Sequence, residues 1–124
     1  KMTNSGKTQI ICQKFIEEIF DGDHRILIIH GKPFHKTLAR IPEQGSFKGN
    51  LAAGGTGVAK DITDFQKTIG KEIGSILIKN GISFAGIDII GEYLTEINIT
   101  SPTCAREILD QTRTNPIEEY FKGL

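Results

Sequence analysis

The sequence predicts an α+β fold, an antiparallel sheet of hairpins with packing helices. Two features carry this prediction. Runs of β-branched residues occur in two pairs, and each pair is interrupted by a glycine-containing turn, which is typical of β-hairpins. Between the two pairs lies one segment with strong helical periodicity. Two hairpins with a packing helix between them belong to the α+β class.

The first hairpin is predicted from the N-terminal third of the chain. After a polar lead-in, residues 8–15 (TQIICQKF) have the composition of a strand, and residues 20–23 (FDGD) form a turn. The apolar run at 25–30 (RILIIH) predicts a buried strand. Gly31 and Lys32 then turn the chain into a partner strand at 33–41.

Residues 42–60 (PEQGSFKGNLAAGGTGVAK) are rich in glycine and lack periodicity. Loops of this length inside a domain are uncommon, and many are active-site lids or disordered segments. We therefore expect a glycine-rich loop over this whole range.

The clearest helix is predicted at 61–80. Its apolar residues recur every three or four positions and form one stripe, namely Ile62, Phe65, Ile69, Ile73 and Ile76. Asp61 or Thr63 can cap its start, and Gly81 follows its end. Gly70 and Gly74 weaken the helix by up to about 1 kcal/mol each relative to alanine. We expect them to let another element pack closely.

A second hairpin is predicted from residues 84–90 and 94–100. Pro102 then favours the first position of a short helix that runs to about residue 110. Asn115 and Pro116 repeat this signal for a last helix.

Composition excludes several classes of function. The chain of 124 residues has 15 basic and 15 acidic side chains, and this balance argues against nucleic-acid binding. No apolar run approaches the roughly 20 residues of a membrane helix. Two cysteines, Cys12 and Cys104, do not make a disulfide framework, so a cytoplasmic location is expected. The chain begins with Lys1, which suggests a piece of a longer polypeptide.

The strand at 94–100 carries oxygen-bearing side chains at alternate positions. Glu96 and Asn98 share one face and lie about 6.6 Å apart, from a rise of roughly 3.3 Å per residue. A three-residue turn at 91–93 would pair Asp88 with Glu96, whereas a two-residue turn would put Asp88 on the opposite face. We expect the three-residue turn. These oxygens then suit Mg²⁺, and the alternative is a solvated face of the sheet.

Two arginines strengthen the prediction of a site. Arg25 begins one strand and Arg40 ends its hairpin partner, so the two can lie close together. Paired arginines bind carboxylate or phosphate, although each alone is more often a surface residue. The glycine-rich loop offers backbone N–H groups and Lys48, but it matches no phosphate-binding motif. Cys104 lies near a helix start, which would lower its pKa, yet no partner marks it as a nucleophile.

Three stretches together resemble a known family. They are DGDHRILIIHGKPFHKTLARIP, KGNLAAGGTG and GIDIIGEYLTEINITSPTCAREI, and the resemblance runs from Gln9 to Leu109. They resemble the C-terminal part of the bacterial glutathione synthetases, which are ATP-grasp ligases. Other ATP-grasp ligases share the set of two acids and one asparagine, but not the words NLAAGG and LTEINITSPTC.

The resemblance implies an activity. Enzymes of this family use ATP to phosphorylate the C-terminal carboxylate of γ-glutamylcysteine, and glycine then displaces phosphate to give glutathione. It further implies Mg²⁺ (or Mn²⁺), a homo-oligomeric full-length enzyme and no nucleic-acid or membrane partner. On this basis residues 1–124 are the C-terminal portion of an ATP-grasp domain with a lid at 42–60. The N-terminal substrate domain and the first ATP-grasp half are then absent.

The resemblance also implies roles for individual residues. The metal ligands would be Asp88, Glu96 and Asn98. Arg25 and Arg40 would be catalytic. The nucleotide would contact Gln13, Lys14, Phe15, Ile16, Asp23 and Asn98, with 13–16 as the hinge that holds adenine and Asp23 near the ribose. The peptide substrate would contact Arg40, Lys48, Asn50, Ser101 and Thr103.

Two departures from the family pattern leave alternatives open. The family usually has arginine where this chain has Lys48, and lysine keeps the charge but loses the two-pronged geometry. The residues before position 1 would also have to supply two nucleotide-binding lysines, so the chain alone is expected to be inactive. The competing interpretations are another ATP-grasp carboxylate–amine ligase and a non-catalytic module that binds a nucleotide or a partner.

Overall fold

Five antiparallel strands form one sheet in the computed structural model, which describes residues 2–124. The strands are β1 (Asp23–Ile29), β2 (Lys32–Ile41), β3 (Thr56–Asp61), β4 (Phe84–Ile90) and β5 (Tyr93–Asn98), in the spatial order β3-β2-β1-β4-β5. The helices are α1 (Asp64–Lys79), α2 (Ala105–Thr112) and α3 (Pro116–Lys122), with short 3₁₀ helices at Glu17–Asp21 and Leu51–Ala53. The predicted α+β class and both predicted hairpins are confirmed.

Each face of the sheet carries its own apolar core, because successive side chains of a strand point to opposite faces. Helix α1 covers a cluster that includes Ile26, Ile28 and Ile87, and Ile69 and Ile73 of the helix pack on it. On the other face, Ile108 of α2 packs with Leu27, Ile29 and Leu38 of the strands. The sheet is therefore the middle layer between α1 and the pair α2 and α3.

Helix α1 begins at a capping box. The hydroxyl of Thr63 accepts from the backbone N–H of Gln66 at 3.2 Å, and the side chain of Gln66 accepts from the N–H of Thr63 at 3.0 Å. Of the two predicted caps, Thr63 is therefore the one used. Gly81 lies just beyond the helix in the left-handed region at φ +74°, as predicted.

The buried stripe of α1 differs from the predicted one. Ile76 is 57% exposed, while Leu77 and both glycines, Gly70 and Gly74, are buried. A Cβ at Gly74 would lie 2.0 Å from the carbonyl oxygen of Gly31. The predicted close approach is confirmed. The helix turns its glycines to the β1–β2 turn, and the apolar stripe is rotated accordingly.

Several predicted boundaries are wrong. Helix α1 begins at Asp64 rather than at residue 61, which lies in β3. Residues 8–15 form no strand, because no element of the described chain pairs with them, and Cys12 is exposed. The predicted loop at 42–60 ends early, because β3 starts at Thr56 and pairs with β2. Helix α2 starts at Ala105 rather than at Pro102. The predicted start of the last helix at Pro116 is confirmed, with Asn115 as its cap.

The edge strand β3 is fastened to α2 by one side chain. The amide of Gln111 donates to the carbonyl of Gly57 at 2.9 Å and accepts from the N–H of Ala59 at 2.7 Å. These two backbone groups would otherwise lie free on a sheet edge. The end of the glycine-rich loop is thereby tied to the helix that follows residues 101–104.

The turn of the β4–β5 hairpin is shorter than predicted, and a β-bulge follows it. Ile90 pairs with Tyr93, so the turn holds only Gly91 and Glu92 rather than three residues. The pairing shifts by one residue after Leu94, and Asp88 still lies opposite Glu96. A two-residue turn alone would put Asp88 and Glu96 on opposite faces of the sheet. The extra residue of the bulge returns them to the same face.

No helix of residues 2–124 is long and apolar enough to cross a membrane.

Replacement of Gly74 by alanine tests the contact between α1 and the β1–β2 turn. Alanine would gain up to about 1 kcal/mol of helix propensity. The contact with Gly31 forces the helix outward, and overpacking of this kind costs about 1–3 kcal/mol. Urea unfolding should therefore show that Gly74→Ala destabilises the chain, while Ser75→Ala, on the exposed face of α1, does not. A more stable Gly74→Ala variant would contradict this packing.

Candidate active site

A buried carboxylate, Asp88, lies at the centre of the candidate site. It points to the α2 side of β4, and its side chain is only 5% exposed. Arg25 of β1 lies opposite Asp88 of β4, and Arg40 lies one residue before the end of the neighbouring strand β2. Both arginines are buried as well. The sheet therefore places three buried charged side chains together at the end of the apolar core that it forms with α2.

Both arginines form ion pairs with Asp88. The Nε of Arg25 donates to Oδ1, its second terminal nitrogen donates to Oδ2 at 2.9 Å, and a terminal nitrogen of Arg40 lies 2.7 Å from the same Oδ2. Arg40 also pairs with Asp23 at 2.7 Å, and Arg25 lies 3.7 Å from a carboxylate oxygen of Glu96. The five side chains form a series of alternating sign. Arg25 and Arg40 are thus brought together, as predicted.

The two arginines decide the pKa of Asp88. Burial alone would raise it, but the hydrogen bonds and charges of Arg25 and Arg40 outweigh burial, and the pKa is lowered. The hydrogen bond to Asp88 is the largest cause that raises the pKa of Arg25. Asp88 is consequently an anion between two permanent cations.

Asp23 behaves differently from Asp88. Burial raises its pKa, and its ion pair with Arg40 only partly opposes that effect. Its Oδ2 accepts from Arg40, whereas its Oδ1 is buried and has no hydrogen-bond partner among the described residues. Asp23, predicted near a ribose, therefore also helps to hold Arg40.

Glu96 and Asn98 lie on the same side of the sheet as Asp88, as the alternation of β5 predicts. Neither is fully buried, because the side chain of Glu96 is 56% exposed and Asn98 is half-buried. Strand β5 is an edge strand, and all its residues except Asn98 are exposed. The Oδ1 of Asn98 accepts from the backbone N–H groups of Thr100 and Ser101, and it shapes the turn that leaves the strand.

The segment Ser101-Pro102-Thr103 lies beside Arg25. The hydroxyl of Thr103 is 3.5 Å from a terminal nitrogen of Arg25 and 3.7 Å from the sulfur of Cys104. Cys104 is buried and left-handed at φ +85°, just before α2. Burial raises the pKa of its thiol, contrary to the predicted lowering. Cys104 therefore has a structural place rather than a reactive one.

The predicted hinge at 13–16 lies at the other end of this region. Gln13, Lys14, Phe15 and Ile16 line a cavity of about 340 Å³ together with Phe47, Ile90 and Thr95. A neighbouring cavity of about 700 Å³ is lined by Lys14, Phe15 and Ile16 with Tyr93 and several acidic residues. The hinge residues are thus brought to the end of the β4–β5 hairpin, although they do not form a strand.

The glycine-rich loop contacts the charged cluster, which consists of Asp23, Arg25, Arg40, Asp88 and Glu96. Gly49 is buried, and a Cβ there would lie 2.7 Å from the carbonyl oxygen of Arg40 and 3.3 Å from Asp23. Its neighbours Lys48 and Asn50 are exposed. Asn50 caps a short 3₁₀ helix by accepting from the N–H of Ala52. The structure shows no contact between Lys48 and the arginines.

Comparison with known proteins identifies the family of this chain. The family model of the prokaryotic glutathione synthetase ATP-grasp domain matches residues 1–113. The chain belongs to this family. Glutathione synthetase of Nitrosomonas europaea is 52% identical over 114 residues, which is 92% of this chain and 36% of the relative. The enzyme of Pseudomonas aeruginosa is 53% identical over 107 residues, and that of Xylella fastidiosa 42% over 123 residues.

The match to the family is partial in one respect. The chain spans about a third of the length of the glutathione synthetases that it matches.

Two residues of this family member escaped sequence reasoning. Gly86 contacts Arg25 of the site, and Gln111 contacts Gly57 and Ala59 of the edge strand β3, so both act through residues distant in sequence. No local spacing signals such contacts. The antiparallel pairing of β1 with β4, which are distant in sequence, would have been needed to see the first.

Replacement of Asp88 by asparagine should destabilise the chain strongly. Two buried guanidinium groups would lose their shared counter-ion, and loss of one partner of a buried ion pair costs about 3–5 kcal/mol. Asp61→Asn is the matched control, because Asp61 forms an exposed pair with Lys36 at 2.6 Å. Exposed pairs contribute little, so urea unfolding of Asp61→Asn should resemble that of the unmodified chain. Equal effects of the two changes would contradict this assignment.

The destabilisation by Asp88→Asn should depend on pH. Because the folded-state pKa of Asp88 is lowered, its contribution is complete above the ordinary carboxyl pKa of about 3.9 and is lost as pH falls through the lower folded value. Urea unfolding between pH 7 and pH 3 should show the difference shrinking at the acid end. Asp23 should act in the opposite sense, because its raised pKa favours the protonated folded form. Asp23→Asn should gain stability relative to the unmodified chain as pH rises, and a constant difference for both variants would contradict these signs.

Proposed function

We propose that this chain supplies the metal-, phosphate- and peptide-binding part of a glutathione synthetase. The observation that carries the proposal is the convergence of Arg25, Arg40 and Asp88, with Glu96 and Thr103 beside them, in a member of this family. In the proposed reaction ATP phosphorylates the C-terminal carboxylate of γ-glutamylcysteine. The amine of glycine then attacks the acyl carbon, and phosphate leaves.

Asp88, Glu96 and Asn98 would hold Mg²⁺ (or Mn²⁺). All three offer oxygen atoms, which this hard cation prefers, and Asp88 and Glu96 are cross-strand neighbours. Within residues 2–124 no group of three or more His, Cys, Asp or Glu side chains could hold a metal. Two carboxylates and an amide suit a cation that completes its shell with phosphate oxygens and water. When bound, it would neutralise charge on the ATP phosphates.

The arginine contacts limit how Asp88 can bind a cation. A carboxylate has about four lone-pair positions. N–H groups of Arg25 take one on each oxygen of Asp88, and Arg40 lies 2.7 Å from Oδ2. The Oδ1 atom therefore retains one position. Glu96 is less committed, since its exposed carboxylate has only the 3.7 Å contact with Arg25. These properties support a site in which Asp88 is shared between the cation and the arginines.

Arg25 and Arg40 would bind the anions of the reaction. Both are buried and charged, and guanidinium groups bind carboxylate and phosphate oxygens in pairs. Held in place by Asp88, they would stabilise negative charge on the acyl phosphate without reorganisation. Thr103, which already contacts Arg25, would bind the peptide carboxylate together with Ser101.

The remaining contacts would come from two segments outside the sheet, residues 13–16 and the glycine-rich loop. Residues 13–16 would hold adenine through their backbone, next to the cavity that they line, and Asp23 would contact the ribose. The loop that starts at 42 would close over the acyl phosphate and exclude water, because hydrolysis competes with attack by glycine. Lys48 and Asn50 would contact the peptide from this loop.

The chain would act as the C-terminal portion of an ATP-grasp domain within a longer polypeptide. The partial coverage of the relatives supports this assignment. The lead strand expected at 8–15 is unpaired in the sheet, which fits a segment that meets further chain. The other segments would supply the cationic groups that hold ATP from the opposite side.

Release of ADP by the complete polypeptide tests the proposal. With ATP, Mg²⁺, γ-glutamylcysteine and glycine, release should require both substrates and should yield glutathione. The double variant Asp88→Asn, Glu96→Gln should lower the rate by at least about 100-fold, the scale of a lost electrostatic contact in the transition state. The double variant Asp61→Asn, Glu118→Gln changes two exposed carboxylates and should retain the rate.

The alternatives give different outcomes in this assay. Release that requires another amine or another carboxylate would assign the chain to a different ATP-grasp ligase. Bound ATP without release would indicate a non-catalytic nucleotide-binding module.

A further inference from the structure

Gly86 stands where the charged cluster and the Ser-Pro-Thr segment meet. It is buried in β4, between Leu27 of β1 and Asn98 of β5. It shares the face of Asp88, two residues along the same strand. A strand interior is an unfavourable place for glycine, so a close approach of another group is its usual reason there.

Two side chains fill the space above Gly86. A Cβ at this position would lie 2.9 Å from the Cδ of Arg25 and 2.9 Å from the Cβ of Pro102, with the Nε of Arg25 at 3.3 Å. Ordinary contacts of a Cβ are 3.4–4 Å. The stem of Arg25 therefore lies across bare backbone, and Pro102 packs beside it.

The contacts at the end of Arg25 depend on this path. From above Gly86 the guanidinium reaches Asp88 with two nitrogens and the hydroxyl of Thr103 with the third, at 3.5 Å. Pro102 is the residue before Thr103, so the same glycine admits both partners of this contact. A methyl group at position 86 would press on both at once.

We infer that Gly86 is a positioning residue, which sets the distance between the Arg25–Asp88 pair and the Ser101-Pro102-Thr103 segment. The inference rests on the proposed function, because that gap is where the peptide carboxylate would be phosphorylated. Reacting groups tolerate little displacement, and an error of about 1 Å can cost about 100-fold in rate. Gly86 acts through Arg25 and Thr103 and need not contact substrate.

The test compares Gly86→Ala with Gly57→Ala in the complete polypeptide. At Gly57 an added Cβ meets only leucine side chains, at 3.1 and 3.3 Å, so this variant controls for a new methyl group in the sheet. Gly86→Ala should lower kcat/KM for γ-glutamylcysteine about 10- to 100-fold and change the KM for ATP less than about 3-fold. Gly57→Ala should stay within about 3-fold of the unmodified enzyme in both. Equal behaviour of the two variants would overturn the inference.

A second readout does not depend on activity. The Nε–H of Arg25, held by Asp88, should give its own ¹H–¹⁵N NMR signal, assigned by its loss in Arg25→Ala. Gly86→Ala should shift or abolish this signal, and Gly57→Ala should not. If the unmodified polypeptide makes no glutathione, the proposed function fails, and the NMR result still decides the placement of Arg25. An unshifted signal in Gly86→Ala would overturn it.

Folding of the variants provides the last control. Gly86→Ala should lower the melting temperature more in the unmodified background than in Arg25→Ala, where the colliding Cδ is gone. If Gly86→Ala alone does not fold, the double variant is compared with Arg25→Ala, and the added methyl group should cost less stability there than in the unmodified background. The same loss in both backgrounds would show that Gly86 does not act through Arg25.

Discussion

The shared ion pair of Asp88 with Arg25 and Arg40 is the constraint on which the site depends. Three strands, β1, β2 and β4, each contribute one of these buried charges, so Asp88 meets both arginines only when all three strands are correctly paired. Unpaired, each would carry a large desolvation cost. The same ion pair holds the guanidinium groups in fixed positions, and a fixed cationic site is what transfer of a phosphoryl group between anions requires.

Glycines let the surrounding elements reach this centre. Gly49 brings the glycine-rich loop against the backbone of Arg40, Gly86 admits Arg25 and Pro102, and Gly74 seats α1 against the β1–β2 turn. In each case a side chain would collide with backbone or with a functional group. The fold thus combines a rigid sheet that holds the charges with close approaches that place loops beside them.

Local patterns in the sequence predicted the hairpins, α1 and the common face of Glu96 and Asn98, because periods of two and about 3.6 residues report which side chains share a face. Local patterns failed where distant contacts decide. The bulge after Leu94 restores the pairing of Asp88 with Glu96. Neither the position of this bulge nor the length of the turn follows from the residues of the hairpin alone. The contact of both Arg25 and Arg40 with Asp88 requires β1 to lie between β2 and β4, a topology that no local spacing predicts. Roles in binding came from resemblance to the family.

Transfer of an oxygen isotope tests most directly whether this cluster serves phosphorylation of a carboxylate. γ-Glutamylcysteine labelled with ¹⁸O in its C-terminal carboxylate would be incubated with the complete polypeptide, ATP, Mg²⁺ and glycine. Formation of an acyl phosphate and its attack by glycine predict one ¹⁸O atom in each released phosphate, because the carboxylate oxygen that attacks phosphorus departs with it. Phosphate that carries no label, with ADP still formed, would mean that water is the acceptor and would contradict the assignment of Arg25, Arg40 and Asp88 to this reaction.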